Sequence, residues 1–118
     1  GIYYQPTVIA NCKQDMRIIQ EEIFVFFLPL VEFEDLDQAI EYANDSDYGL
    51  TSSIFTNNLK TALKACNEIR FGETMINRDN MEIFQSFHAG LRKSGIGGAD
   101  GKHGLYEYMQ THAVYMRA

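Results

Sequence analysis

The sequence has little basic charge and no long apolar run, and both absences limit what the chain can do. Ten lysines and arginines stand against sixteen acidic residues, which gives the 118 residues a formal net charge of −6. Without clustered positive charge, the chain lacks the electrostatic footprint that phosphate backbones and anionic lipids require. No apolar stretch approaches the roughly 20 residues that span a bilayer, and the N-terminus lacks the basic and apolar segments of an export signal. We therefore expect neither nucleic acid nor a membrane as a partner.

Cysteine is also scarce, and metal-ligand spacing is missing. Cys12 and Cys66 lie far apart without CxxC spacing, so no disulfide framework is indicated and a reducing cytoplasm fits best. Neither has a nucleophile motif around it, and we interpret both as small buried hydrophobic residues. His88, His103 and His112 have no i, i+4 partner and no neighbouring ligand set, so no metal site is predicted.

Two segments have the apolar periodicity of amphipathic helices. The first has apolar residues at positions 36, 39, 40 and 43, and Asp35 can cap its start. The second has apolar residues at positions 59, 62, 63, 66 and 69, with Asn57 or Asn58 as its cap and Gly72 as its stop. Both helices are expected to turn these stripes towards a core.

Strand-like composition alternates with these helices, at residues 3–9, 26–33, 50–55 and 73–77. Pro6 suggests an irregular or edge strand in the first of these segments, whereas the almost continuously apolar second segment suggests a buried strand interrupted at Pro29. Strand, helix, strand, helix, strand is the order of right-handed crossovers in a parallel sheet. The expected fold class is therefore α/β.

The last third of the chain is rich in glycine and has few periodic apolar positions. Residues 79–104 therefore predict a long loop of the kind that usually serves a function or is held by its neighbours. The glycine run at 95–98 is not a dinucleotide fingerprint, because Asp100 takes the place of the third small residue and no predicted strand precedes it. A short helix through Leu105 and Met109 and a final strand at residues 112–117 are expected to follow.

Five blocks of sequence in a fixed order resemble the C-terminal part of the aldehyde dehydrogenase superfamily. They are YQPTV at 4–8, EEIF at 21–24, ANDSDYGLT at 43–51, GETMIN at 72–77 and KSG at 93–95. The run QSFHAGLRKSGIGGADGKHG at 85–104 most resembles the branch that acts on lactaldehyde and glycolaldehyde. The resemblance covers essentially the whole chain, and it implies a partial Rossmann-like sheet at residues 1–110 and an oligomerisation strand at 111–118.

This resemblance implies an NAD- or NADP-dependent oxidation of small aldehydes to carboxylic acids. The family's catalytic cysteine and general-base glutamate normally lie earlier in the chain, and neither Cys12 nor Cys66 matches that cysteine. We therefore carry over no catalytic residue and expect the 118 residues alone to be inactive. The final strand is expected to join a neighbouring subunit in a homo-oligomer.

The resemblance also assigns binding roles to five residues. Glu22 matches the carboxylate that contacts the ribose hydroxyls of the nicotinamide cofactor, and Phe24 matches the ring beside the nicotinamide. His88, with Phe87 next to it, matches the position that lines the substrate funnel, and Glu82 is expected to reach the same mouth. A histidine can hydrogen-bond a substrate hydroxyl that a phenylalanine would leave unpaired, which favours short hydroxyaldehydes.

One departure from the family pattern leaves alternatives open. The family usually follows Glu-x-Phe with Gly-Pro, whereas Val25 and Phe26 stand here, so the turn cannot be made in the same way and the position of Phe24 relative to the cofactor is left open. A non-catalytic self-association module derived from an aldehyde dehydrogenase is therefore a second interpretation. A third is that the chain is the ordered remainder of a longer protein.

Overall fold

A computed structural model describes all 118 residues of the chain. Six strands and four α-helices follow one another, with a 3-10 turn at Arg92–Ser94. The strands are β1 Thr7–Cys12, β2 Phe27–Val31, β3 Thr51–Ile54, β4 Glu73–Ile76, β5 His88–Ala89 and β6 Gly98–Ala99. The helices are α1 Arg17–Gln20, α2 Leu36–Asn44, α3 Leu59–Glu68 and α4 Gly101–Glu107.

The strands form three separate two-stranded sheets. The pairs β1–β2 and β3–β4 are parallel, whereas β5–β6 is antiparallel. The α/β class and the parallel pairing are confirmed, and α3 is the crossover between β3 and β4. The strands before and after α2, however, lie in different sheets, so this chain by itself does not build one continuous sheet.

The first sheet differs from its prediction in bounds and in burial. β1 starts at Thr7 and not at residue 3, and β2 continues through Pro29, which pairs with Ile9. Proline is tolerated here because β2 has no strand on its other edge. The prediction that β2 is buried was wrong. Its alternate residues Leu28 and Leu30 are exposed, since nothing in the chain covers that face.

The caps of α2 and α3 follow the sequence closely. The Asp35 carboxylate accepts a hydrogen bond from the Gln38 amide at 2.9 Å, and the Asn58 side chain accepts from the Lys60 and Thr61 amides. Both satisfy donors that the first helical turn leaves unpaired. The predicted stop of α3 was wrong, because the helix ends at Glu68, four residues before Gly72.

The packed face of α3 is also narrower than the predicted stripe. Ala62 and Ala65 are buried, whereas Leu59, Leu63 and Cys66 are exposed. The prediction of a buried Cys66 was therefore wrong, since only the alanine face of α3 has a neighbour to pack against. Cys12 is buried as predicted.

The glycine-rich region is more ordered than a loop and ends without a strand. It contains β5, the 3-10 turn and β6, and α4 begins inside it at Gly101 and ends at Glu107, before the predicted position of Met109. Residues 109–118 have no regular structure and are exposed. The expected strand at 112–117 has no partner strand within this chain, and its pairing with another subunit stays a prediction.

The chain buries little surface. Only seven residues are buried, and the radius of gyration is 18.7 Å, whereas a compact domain of this length has about 13 Å. The accessible surface is 9946 Å², against about 6,500 Å² for a folded monomer of this mass. No helix exceeds ten residues, and none is suited to crossing a bilayer. The apolar faces of β2 and α3 therefore require additional protein to cover them.

Candidate functional site

A buried carboxylate and a histidine form a hydrogen-bonded pair. Glu73 opens β4 and His88 opens β5, with 8% and 30% of their side chains exposed. His88 Nδ1 donates to Glu73 Oε2 at 2.7 Å, and Thr51 Oγ1 donates to the same oxygen at 3.3 Å. A carboxylate removed from water requires such partners.

This hydrogen bond changes the pKa of His88. The Glu73 hydrogen bond raises the pKa of His88 above its ordinary value, and the negative charges of Glu73, Glu82 and Asp100 act in the same direction. Partial burial opposes the shift, because it disfavours the charged ring. His88 therefore keeps its positive charge to a higher pH than a free histidine, and it loses that charge as the pH rises through the raised pKa.

Gly49 and Gly72 bring the ANDSDYGLT block at 43–51 and the GETMIN block at 72–77 to this pair. The Gly49 carbonyl accepts from the amides of Gly72 at 3.1 Å and Leu91 at 2.9 Å, and its own amide donates to Ser94 Oγ at 2.8 Å. A Cβ on Gly72 would lie 1.5 Å from the Ala89 carbonyl oxygen. The start of β4 and the end of β5 are thus in direct backbone contact.

Arg92 anchors the same region and was missed by sequence reasoning. Its guanidinium donates to the carbonyls of Asn44 at 2.8 Å, Ser46 at 2.5 Å and Arg70 at 2.9 Å. It also lies over the Phe71 ring, 5.6 Å from the centroid. Every residue has a backbone carbonyl, so these partners give no recognisable pattern in the sequence. Only the position of Arg92 next to the KSG block could have indicated its role.

Glu22 lies at a cleft of about 420 Å³ whose polar lining includes Tyr48, Thr51, Lys93 and Ser94. Its carboxylate is exposed and forms no ion pair. It is therefore available to accept hydrogen bonds from a ligand in the cleft. Thr51 lines this cleft and also hydrogen-bonds Glu73, so a single residue connects the cleft to the Glu73–His88 pair.

Lys93, at the same cleft, is held by an ion pair. Its ammonium group pairs with the Asp47 carboxylate. This pairing raises the pKa of Lys93 and lowers the pKa of Asp47, chiefly through the hydrogen bond. Both side chains are about two-thirds exposed, so the pair orients the loop more than it stabilises the fold.

Phe24 does not share the cleft of Glu22. Its side chain is 89% exposed, and with Val25 and Phe26 it lines a separate shallow depression. Phe24 itself has a φ of 58°, and the Phe27 amide donates to the Val25 carbonyl at 2.8 Å. The chain thus turns at a phenylalanine in the left-handed conformation, followed by the Val25–Phe27 backbone hydrogen bond.

The remaining two predicted substrate residues, Phe87 and Glu82, lie in different environments. Phe87 packs against the His103 ring at a centroid distance of 5.6 Å, whereas Glu82 is exposed and acts on His88 only through its charge. Gly98 accommodates this packing, since a Cβ there would lie 2.9 Å from Phe87 Cε2. Glu22 thus lines a cleft that Thr51 links to Glu73 and His88, whereas Phe24 lies apart, and a shared substrate surface of His88, Phe87 and Glu82 stays a prediction.

Neither cysteine has the surroundings of a nucleophile. Cys12 is buried, and its thiol contacts the Ile9 carbonyl at 3.4 Å. Cys66 is exposed on α3, outside the residues that line the Glu22 cleft. No histidine or carboxylate hydrogen-bonds either thiol, so the described site has groups for binding but none for covalent catalysis.

Known proteins resemble this chain along its whole length. It is 59% identical to the lactaldehyde dehydrogenase of Escherichia coli K12 over 118 residues, which are all of this chain and 25% of that protein. The crystal structure of the E. coli enzyme superimposes with a TM-score of 0.96 over 98% of this chain and 24% of the other.

A more distant structure agrees. The betaine aldehyde dehydrogenase of Staphylococcus aureus, solved in complex with NAD+, is 40% identical, with a TM-score of 0.87 over 92% of this chain and 21% of that one. This chain thus spans about a quarter of the length of the proteins it matches. The profile of the aldehyde dehydrogenase family matches residues 1–114, and the chain belongs to that family.

Proposed function

We propose that these residues form the substrate-hydroxyl and nicotinamide-ribose contacts of an NAD(P)-dependent dehydrogenase that oxidises short hydroxyaldehydes to carboxylic acids. The observation that carries this proposal is the His88 ring, held at Nδ1 by Glu73 in a chain 59% identical to a lactaldehyde dehydrogenase. A histidine with one ring nitrogen occupied and one available can exchange a hydrogen bond with a substrate hydroxyl. A purely apolar funnel could not favour a hydroxylated aldehyde in this way.

Glu22 has the chemistry required of the ribose contact. A ribose presents two neighbouring hydroxyl donors, and an ionised carboxylate has two acceptor oxygens and no donor. The Glu22 cleft is open and has no competing cation on that carboxylate. The residues therefore fit a nicotinamide ribose, and the bound nicotinamide would supply the hydride acceptor for aldehyde oxidation.

His88 and Glu82 would orient the aldehyde by opposite means. When protonated, the His88 ring can donate to a hydroxyl oxygen, whereas an exposed Glu82 carboxylate accepts from a hydroxyl hydrogen. Phe87, packed on His103, offers an apolar surface beside them. Because neither Cys12 nor Cys66 is placed as a nucleophile, the attacking thiolate must come from protein outside these residues, and we expect the 118-residue chain alone to be inactive.

A chimera tests the substrate role of His88. The 118 residues would replace the matching quarter of the E. coli lactaldehyde dehydrogenase, a graft that the TM-score of 0.96 favours. Propanal has the carbon skeleton of lactaldehyde without the hydroxyl. We expect His88→Phe to lower the ratio of kcat/KM for lactaldehyde over propanal by about tenfold or more, because a hydrogen bond to the hydroxyl is lost.

The matched variant is His88→Gln, whose amide keeps a donor of similar reach. It should recover part of the lactaldehyde preference, while propanal turnover serves as an internal measure of intact chemistry. A ratio unchanged in His88→Phe would show that His88 does not read the hydroxyl, and the substrate proposal would then fail.

The exposed apolar surface supports the second candidate, a non-catalytic self-association module. Phe24 and Phe26 are 89% and 77% exposed, and residues 109–118 are free to pair as an edge strand. NAD+ titration of the 118-residue chain followed by calorimetry separates the two functions. Saturable binding that Glu22→Gln weakens favours the dehydrogenase, whereas concentration-dependent association without NAD+ binding favours the module.

A further inference from the structure

Glu73 is the single charged residue that the chain buries. Placing a carboxylate in a poorly hydrated position is costly unless its oxygens have partners, so such a residue is rarely an accident of packing. Its Oε2 atom receives hydrogen bonds from His88 Nδ1 and Thr51 Oγ1. A buried acid is thus hydrogen-bonded to the one histidine of the candidate site.

The hydrogen bond fixes which face of the imidazole is available. With Nδ1 committed to Glu73, the second ring nitrogen, Nε2, has no hydrogen-bond partner in the protein. No buried side-chain nitrogen or oxygen of the chain lacks a partner, so Nε2 is accessible from outside. A ring held at one nitrogen also cannot flip without breaking that bond, which sets its orientation.

We propose that Glu73 is a positioning residue for His88: its buried carboxylate holds Nδ1 and presents Nε2 to the hydroxyl of the aldehyde substrate. This inference rests on the proposed substrate role of His88 and adds a specificity-determining residue that does not itself touch the substrate. Oriented ligands in metal sites depend on partners behind them in the same way.

The surroundings make Glu73 a rigid support. It opens β4, whose four residues pair in register with β3, and Thr51 lies opposite it on that neighbouring strand. The close approach of Gly72 to Ala89 fixes the start of β4 against the end of β5. A carboxylate on such a scaffold has little freedom to follow a ring that rotates.

The other acidic groups that act on His88 cannot replace Glu73. Glu82 and Asp100 add negative charge near the ring, but both are exposed and neither hydrogen-bonds it. Charge without a hydrogen bond favours the protonated ring but does not select which nitrogen faces the substrate. Glu73→Gln is therefore expected to change the orientation of the His88 ring as well as the charge beside it.

The test is a double-mutant cycle in the chimeric enzyme. The ratio of kcat/KM for lactaldehyde over propanal is measured for Glu73→Gln, His88→Phe and the double variant. We expect Glu73→Gln to lower the ratio about tenfold while leaving propanal turnover nearly intact. In the double variant the ratio should equal that of His88→Phe alone, because Glu73 acts only through the ring.

A pH profile provides the readout that a merely structural role would not change. Loss of the Glu73 charge should move the inflection in the lactaldehyde preference to lower pH, since the carboxylate raises the pKa of His88. Glu41→Gln, the same substitution at an exposed position of α2, should change neither the ratio nor the inflection.

The outcomes separate the two proposals. If His88→Phe abolishes the preference but Glu73→Gln leaves both ratio and inflection unchanged, the positioning role is overturned while the function stands. If His88→Phe has no effect, the proposed function fails first. Should Glu73→Gln not fold, Glu73→Asp keeps the charge but withdraws it by one methylene, and the proposal then requires an intermediate loss of preference, with an unchanged preference overturning it.

Discussion

Glu21 and Glu22 are adjacent carboxylates with different surroundings. Glu21 is bound to Arg17 in a two-bond ion pair, with N–O distances of 2.8 and 2.9 Å, and this pairing lowers the pKa of Glu21. Glu22 has no such partner, although both residues line the cleft beside Thr51 and Ser94. The two glutamates are adjacent in sequence, but the Glu21 carboxylate is occupied by Arg17, whereas the Glu22 carboxylate is available to accept hydrogen bonds from a ligand.

This contrast provides a prediction for cofactor binding. In the chimera, Glu22→Gln should raise the KM for NAD+ by roughly 10- to 100-fold, because a carboxylate contact with the ribose hydroxyls is replaced by an amide contact. Steady-state kinetics with NAD+ as the varied substrate measures the change.

Glu21→Gln is the matched control for that experiment. It removes the neighbouring charge and an exposed ion pair, whose contribution to stability is small, and it should leave the KM for NAD+ within about twofold of the parent. Equal effects of the two substitutions would argue that the charge of the segment matters and that Glu22 has no specific ribose contact.

Residue roles differ in how far the sequence could predict them. His88 was found because a histidine stands where the family pattern has a funnel residue, but its partner Glu73 lies 15 positions away and shares no local motif with it. Arg92 binds only backbone carbonyls, which every residue has. Contacts between residues that are distant in sequence depend on the fold, and they leave no periodic pattern in the sequence.

Among the secondary-structure elements, α2 and α3 lie near their predicted positions because their caps and apolar stripes are local properties of the sequence. β3 and β4 also lie within the segments that strand-like composition predicted. β5 and β6 have two residues each and show no period that could be recognised. Their pairing depends on glycines that permit close backbone contact, which the sequence shows only as a glycine-rich loop.

Gly72 gives a prediction at the element scale. Gly72→Ala would place a Cβ 1.5 Å from the Ala89 carbonyl oxygen, and relief requires β4 and β5 to move apart. Overpacking of this kind costs about 1–3 kcal/mol, which should lower the apparent midpoint of thermal unfolding of the chimera, about four times as long as this chain, by about 1–3 °C.

Gly95→Ala is the comparison for that substitution. Its Cβ would meet nothing closer than 3.9 Å, and its φ of 168° is extended backbone that alanine adopts readily. Differential scanning fluorimetry should therefore show a midpoint near the parent value. A similar loss for both variants would contradict the proposed contact between β4 and β5.

At the scale of the whole molecule, the chain has too much surface for an independent domain. A radius of gyration of 18.7 Å and an accessible surface of 9946 Å² leave the apolar faces of β2 and α3 exposed. The related enzymes are about four times as long, and apolar faces of this size require covering protein. The sequence could predict the α/β class, but not that its strands form three separate pairs, because strand pairing depends on long-range contacts that leave no local pattern.

The most direct test of the central claim is NAD+ reduction with lactaldehyde, measured side by side for the 118-residue chain and for the chimera. The chain alone should give no turnover, because neither Cys12 nor Cys66 has the surroundings of a nucleophile. It should elute from a sizing column above its 13.5 kDa mass, because it exposes apolar surface. The chimera should oxidise lactaldehyde in preference to propanal. A chimera with the assembly size and thermal stability of the E. coli enzyme but without turnover would contradict the account.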